Sequence, residues 1–176
     1  MGEVPPLTEL YQECRRRDFE FFIVYVREAH PGENFPHHTS FEQKMAHARK
    51  LRDLENISLP ILVDDIEGST HKAYGLQPNM VYLINRDGVI VYKSDWTDAH
   101  ELETMCESLG RLDEMKAHEL PIIRRGVSER LHWILMDPVH RERIYRRSGE
   151  KAIRDYFNAR GHLPYATDAE KARSTS

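Results

Sequence analysis

A carboxylate and an imidazole, Glu28 and His30, stand two residues apart just after the apolar run Phe21-Phe22-Ile23-Val24-Tyr25-Val26. The β-branched and aromatic content of that run, closed by Pro31-Gly32, predicts a strand buried on both faces. In open α/β sheets, ligands and chemistry collect beyond the carboxyl ends of the strands. Glu28 and His30 are therefore a candidate acid/base pair, to be weighed against a merely solvated strand end. His37, His38 and His47 invite a metal reading. Two of them are adjacent and the third is out of register with the i, i+4 spacing that puts two ligands on one helix face, so no metal site is expected. Cys14 and Cys106 are far apart, match no CxxC motif and fall on apolar helix faces, where free cysteine acts as core filler.

Leu7 to Arg17, ahead of the strand, reads as a short helix with Leu7, Leu10, Tyr11 and Cys14 on one side. After the loop at 31–36, Thr39 and Ser40, with Glu42 and Gln43 three residues on, offer overlapping capping boxes. The helix they open carries Phe41, Met45, Ala48 and Leu51 at helical spacing and ends near Leu54. Leu59 to Asp64 predicts a second strand, with Pro60 marking its first residue or an edge, and Thr70 to Tyr74 a brief helix closed by Gly75. Met80 to Asn85 and Val89 to Lys93 form two strands around an Asp87-Gly88 hairpin turn. Asp98 to Lys116 is a helix with Leu102, Met105, Cys106 and Leu109 inward.

Helix, strand, helix, strand, helix, hairpin, helix is an α/β order. Its last part, an X-Pro bond followed by a strand, an Asp-Gly hairpin and a helix, has the pattern of the C-terminal half of a thioredoxin fold. From Pro121 the character changes. Val127, Leu131, Ile134 and Leu135 suggest one helix. Asp137-Pro138 opens another, with Ile144/Tyr145, Ala152/Ile153 and Tyr156/Phe157 on one face and Gly161 at its end. The expected organisation is a domain over 1–119, a helical extension over 120–162 and a flexible tail over 163–176. Residues 1–119 carry 13 Lys and Arg against 22 Asp and Glu, and residues 120–162 carry 10 against 5, so the extension is a basic appendage on an acidic domain. It suits docking onto its own domain, onto a partner or into a homodimer. With no groove-reading module beside it, nucleic acid is not an expected partner. No apolar run reaches bilayer-spanning length and no leader pattern is present, so no membrane is expected and the predicted location is cytoplasmic.

Asp18 to Lys93 resembles the iodothyronine deiodinase family. The residues that carry the resemblance are Phe-Phe-Ile-Val-Tyr-Val-Arg-Glu-Ala-His-Pro at 21–31 and Leu-Pro-Ile-Leu-Val-Asp at 59–64, then Ala-Tyr-Gly-Leu-Gln-Pro at 73–78 leading into Tyr-Leu-Ile-Asn-Arg-Asp-Gly at 82–88. The resemblance implies a thioredoxin-like fold in which a selenocysteine or cysteine follows the first strand and opens the first helix. It implies that Glu28 and His30 handle protons for that nucleophile. His38 matches a family histidine at the start of the next helix. Pro78 matches the proline beside the active site, which suits a cis X-Pro bond. Trp96, after the hairpin, is a candidate to stack on an aromatic substrate, with a packing role as its alternative.

The sequence departs from that pattern at its start. There is no strand before Leu7 and no cysteine near Pro5-Pro6, and neither existing cysteine is placed to substitute. The first strand of the fold is missing from this chain, which leaves the 19–26 strand with unpaired backbone groups and an uncovered face. The expectation is a selenoprotein candidate whose nucleophile lies upstream of Met1, because a selenocysteine codon reads as a stop. Such a protein would be a thiol/selenol oxidoreductase performing reductive dehalogenation of an aromatic or reduction of a peroxide. It would need no cofactor beyond a thiol reductant as co-substrate, and the chain alone would be inactive. The alternative is a redox-inactive thioredoxin-like binding module acting through its basic helices.

Overall fold

The computed structural model describes residues 4–122 and 138–160, with side chains from 6–122 and 143–156. The elements are α1 (Val4–Arg15), β1 (Ile23–Tyr25), α2 (Phe41–Leu54), β2 (Ile61–Val63), α3 (Ser69–Ala73), β3 (Val81–Ile84), β4 (Ile90–Ser94), α4 (Ala99–Ala117), α5 (Pro138–Ser148) and α6 (Glu150–Arg160). The chain is of the mixed α/β class, with helices and two small sheets. Its contacts divide it into two compact units, residues 4–26 with 40–122, and residues 27–39 with 138–160. The helix expected around Val127 to Leu135 and the tail at 163–176 lie outside the described residues.

In the first unit, β1 pairs with β2 in parallel, Ile23 opposite Ile61 and Tyr25 opposite Val63. β3 pairs with β4 antiparallel, around Gly88 at φ 76. Side chains alternate along β1 with period two. Tyr25 joins Tyr11, Ala48, Leu51, Ile57 and Leu59 in one buried cluster, with Phe21, Ile23, Ile61 and Val63 packed against it. Phe22, Val24 and Leu62 point the other way and are 55%, 39% and 50% exposed. The expectation of a strand buried on both faces is corrected: among the described residues, helices cover one face only. β1 is also shorter than its apolar run.

A second cluster joins the sheets to the helices. Leu10 and Cys14 of α1 and Leu102 and Cys106 of α4 are buried together, with Phe21, Val81, Leu83 and Tyr92 packed on them. α1 thus serves both strand pairs, through Tyr11 in the β1–β2 cluster and through Leu10 and Cys14 in the β3–β4 cluster, yet the described strands make two sheets rather than one. Ile23 N–H donates to the Pro60 carbonyl at 2.9 Å, and Asp64 N–H donates to the Tyr25 carbonyl at 3.1 Å. By the alternation of a parallel ladder, the backbone groups of Val24 face away from β2, toward an edge that no described strand occupies.

Three helix details depart from the sequence reading. α1 begins at Val4, so Pro5 and Pro6 fall in its first turn, where a missing N–H costs nothing. In α2, Ser40 is the N-cap, accepting from Gln43 N–H at 3.2 Å, but Phe41 is exposed and Lys44 is buried beside Ala48 and Leu51. Lys44 tolerates that face because its Nζ donates to the Asp65 carbonyl at 2.7 Å. The single helix expected after Asp137-Pro138 is instead two, α5 and α6, broken at Gly149, whose φ of 115 a side chain would resist.

Candidate active site

Glu28, His30 and His38 all fall in the second unit, on the loop that leaves β1 and returns to α2. Each is half-buried. This loop turns tightly, with Gly32 N–H donating to the Phe35 carbonyl at 3.0 Å, and then fastens to the α5–α6 junction. Asn34 donates twice, from its backbone N–H to the Ser148 carbonyl and from Nδ2 to the Arg147 carbonyl, both at 3.1 Å. The Glu33 carboxylate accepts from Lys151 N–H at 3.0 Å and caps α6 from a distant part of the chain. Gly32 is buried, and a Cβ there would run into the Ser148 carbonyl. Phe35 is 1% exposed, with the Arg147 guanidinium 5.4 Å above its ring.

The His30 imidazole meets Tyr145 edge-on at 4.9 Å between ring centroids and Tyr156 at 6.0 Å, and the two tyrosines lie 4.1 Å apart. The ring orientation of the candidate proton carrier is thus set by two aromatic side chains of α5 and α6. The periodicity of α5 and α6 marked these tyrosines as an apolar face. Nothing in the linear sequence marked His30 as what that face would hold. The Glu33 carboxyl is held below its ordinary value by hydrogen bonds from its own backbone N–H and that of Lys151, despite some desolvation.

Pro78 and Trp96 lie in the first unit, both exposed. Their loops are tied together, since the Thr97 hydroxyl donates to the Asn79 carbonyl at 2.8 Å and Trp96 N–H donates to Ser94 Oγ at 3.3 Å. The cis bond expected at Pro78 is corrected. The Gln77–Pro78 bond is trans, and positive φ at Leu76 (64) and Asn79 (62) turns the chain on either side of it.

Also in the first unit is a buried polar cluster that the sequence reading missed. Asp64, 4% exposed at the carboxyl end of β2, accepts from Asp65 and Thr70 N–H on Oδ1 and from His71 N–H on Oδ2 at 3.0 Å. Burial alone would raise its carboxyl. The hydrogen bonds of His71 and Thr70 and the charge of Lys44 outweigh that and hold it below the ordinary value. Lys44 is in turn lowered by burial, against the pull of Asp64, Asp65 and Glu67. His71, 7% exposed, places Nε2 at 3.3 Å from the Gln77 carbonyl, a partner that can only accept. The signal that could have found this cluster is Asp64-Asp65 followed by Ser69-Thr70, carboxylates standing just ahead of a helix start. No group of three or more His, Cys, Asp or Glu among the described residues could hold a metal ion. No helix there is long and apolar enough to cross a membrane.

No family model matches the chain. It is similar to thyroxine 5-deiodinases of several mammals. Identity to the sheep protein is 28% over 109 residues, covering 56% of this chain and 37% of the relative. The human protein is likewise 28% identical, with 35% of its length covered. The pig protein is 30% identical over 105 residues, 52% of this chain and 34% of the relative. The chain thus spans about a third of the length of these relatives, and the similarity supports a distant relationship to the deiodinase family.

Proposed function

We propose that the chain works within a deiodinase-like thiol or selenol oxidoreductase of thioredoxin-like fold, whose nucleophile lies on a segment preceding residue 1 in the natural protein. The observation that carries this reading is the similarity to proteins whose chemistry is named for thyroxine. The arrangement of strands supports it. Among the described residues β1 and β3 each pair on one side only, and α1 packs on both strand pairs, through Tyr11 on one and through Leu10 and Cys14 on the other. One strand between them would join the two pairs into a sheet ordered β2, β1, added strand, β3, β4, and would satisfy both edges.

The chemistry follows from a low-pKa selenolate or thiolate at a helix N-terminus. The nucleophile takes the halogen from an aromatic carbon, that carbon receives a proton in its place, and two thiols then release halide and leave as a disulfide. With a peroxide, the nucleophile takes one oxygen and two thiols return it as water. Glu28 and His30 supply and orient the proton, with the imidazole held by Tyr145 and Tyr156. His38 assists from the same loop, and Pro78 and Trp96 contact the substrate.

The test is to read the DNA upstream of Met1 in frame, express the extended protein and assay it with a dithiol and either an iodinated phenol or a peroxide. A strand followed by a selenocysteine or cysteine codon, and turnover that Glu28→Gln or His30→Gln lowers by about 100-fold or more, is the expected result. Unrelated upstream sequence, or turnover indifferent to both substitutions, sinks the reading and leaves a binding module acting through its basic helices.

A further inference from the structure

The two thiols of the chain, remote in sequence, meet in the first unit. Cys14 sits in the last turn of α1 at 3% exposure and Cys106 in the middle of α4 at 0%, in one cluster with Leu10 and Leu102. The Cys106 thiol donates a hydrogen bond to the Cys14 sulfur. We propose that Cys14 and Cys106 form a redox site, an internal dithiol that two-electron oxidants of the peroxide or disulfide class convert to a disulfide joining α1 to α4. This goes beyond the function proposed above and does not rest on it.

Contact is the first requirement of a disulfide, because the bond tolerates little displacement of its two Cα atoms. The two thiols share a side-chain hydrogen bond and sit on two helices packed through one cluster, which brings the sulfurs within reach of each other. The environment also orders the steps. Burial raises both thiols, and pushes Cys106 up to about 12. Cys14 is raised less, since it accepts the Cys106 hydrogen bond that raises its partner. Cys14 is also the penultimate residue of its helix, four residues before Asp18 with its φ of 65. Fraying of that last turn exposes Cys14 and leaves Cys106 in the core. Cys14 is therefore the attacking thiol and Cys106 the resolving one.

With hydrogen peroxide, the Cys14 thiolate attacks one oxygen, the O–O bond breaks and water departs, leaving a sulfenic acid. The Cys106 sulfur then displaces the second water, forming the S–S bond. Two thiols lose two electrons and two protons, and peroxide is reduced to two waters. With a small disulfide such as oxidised glutathione, Cys14 forms a mixed disulfide and releases one thiol, and Cys106 releases the other. Burial makes the reaction slow, set by the opening of α1, and then shelters the product from reductant.

The experiment treats the full chain, folded, with hydrogen peroxide or oxidised glutathione and follows intact mass, mapped peptides and thermal midpoint. The expected result is a loss of about 2 Da, one cross-linked peptide pair containing Cys14 and Cys106, and a midpoint several degrees higher, all reversed by dithiothreitol. Cys106→Ala should stop at a sulfenic acid or mixed disulfide on Cys14, and Cys14→Ala should leave Cys106 unmodified. The proposal is overturned if both thiols stay reduced over a time in which the urea-unfolded chain oxidises fully. Separate modification of the two cysteines without the cross-link overturns it as well. Should either alanine variant fail to fold, the wild-type cross-link still decides.

Discussion

Two carboxylates do the same physical job in the two units by opposite means. Asp64 caps α3 from a few residues away, is almost fully buried and is matched by the equally buried Lys44. Glu33 caps α6 from 118 residues away and stays exposed. Each supplies negative charge and acceptor oxygens to helix N–H groups that lack partners of their own. The difference lies in what depends on the cap. Removing Asp64 leaves three N–H groups without their acceptor and takes one of three nearby negative charges from Lys44, which keeps its bond to the Asp65 carbonyl. Removing Glu33 opens groups that water can reach, but it also loosens the loop that carries Glu28 and His30.

The largest effect is expected for Asp64→Ala, which should destabilise the chain by about 3 kcal/mol in urea unfolding, since it leaves the Asp65, Thr70 and His71 amides without their acceptor and removes a nearby negative charge from Lys44. Asp64→Asn keeps an oxygen and should cost less. The folded carboxyl lies below its ordinary value of 3.8, so it contributes stability above that value. That contribution is lost as pH falls from about 3.8 through the lower folded pKa. The wild type should lose stability faster than Asp64→Asn over that acid window. Parallel pH curves would show that the carboxylate's charge contributes little.

The next largest effect is expected at Gly32. Gly32→Ala places a methyl against the Ser148 carbonyl and should cost about 2 kcal/mol, with the change in amide protection concentrated in 27–39 and 145–156. A neutral substitution there would mean that the loop is not fastened to the helix junction. The smallest effect is Glu33→Ala. Hydrogen exchange should show several-fold faster exchange at the Lys151 amide, and Glu33→Gln should retain part of the protection. As with Asp64, the lowered folded pKa means that the Glu33 cap weakens on acidification. Unchanged exchange at Lys151 would remove Glu33 from the comparison.

The caps also show where the chain could be read and where it could not. Ser40 and Asp98 were legible as helix starts because a cap and its N–H partner lie three residues apart. The Asp87-Gly88 hairpin was legible for the same reason, a local turn with Gly88 at positive φ. Lys44 was not, because binary pattern assigns a lysine outward and only the Asp65 carbonyl makes its burial affordable. The chemistry of the candidate loop was half legible. Glu28 and His30 stood out by residue type at a strand end, whereas their fastening through Glu33, Asn34 and Tyr145 depends on contacts across most of the chain.

By itself the sequence determined the α/β order, the positions of the strands, most helix starts and the candidate acid/base residues. Periodicity, capping and turn chemistry act within a few residues and leave their mark in the local pattern. Only the tertiary structure decided that β1 is covered on one face, that Cys14 meets Cys106, and that His30 is held by Tyr145 and Tyr156. Each of these joins residues remote in the chain, where packing rather than local propensity chooses the partner.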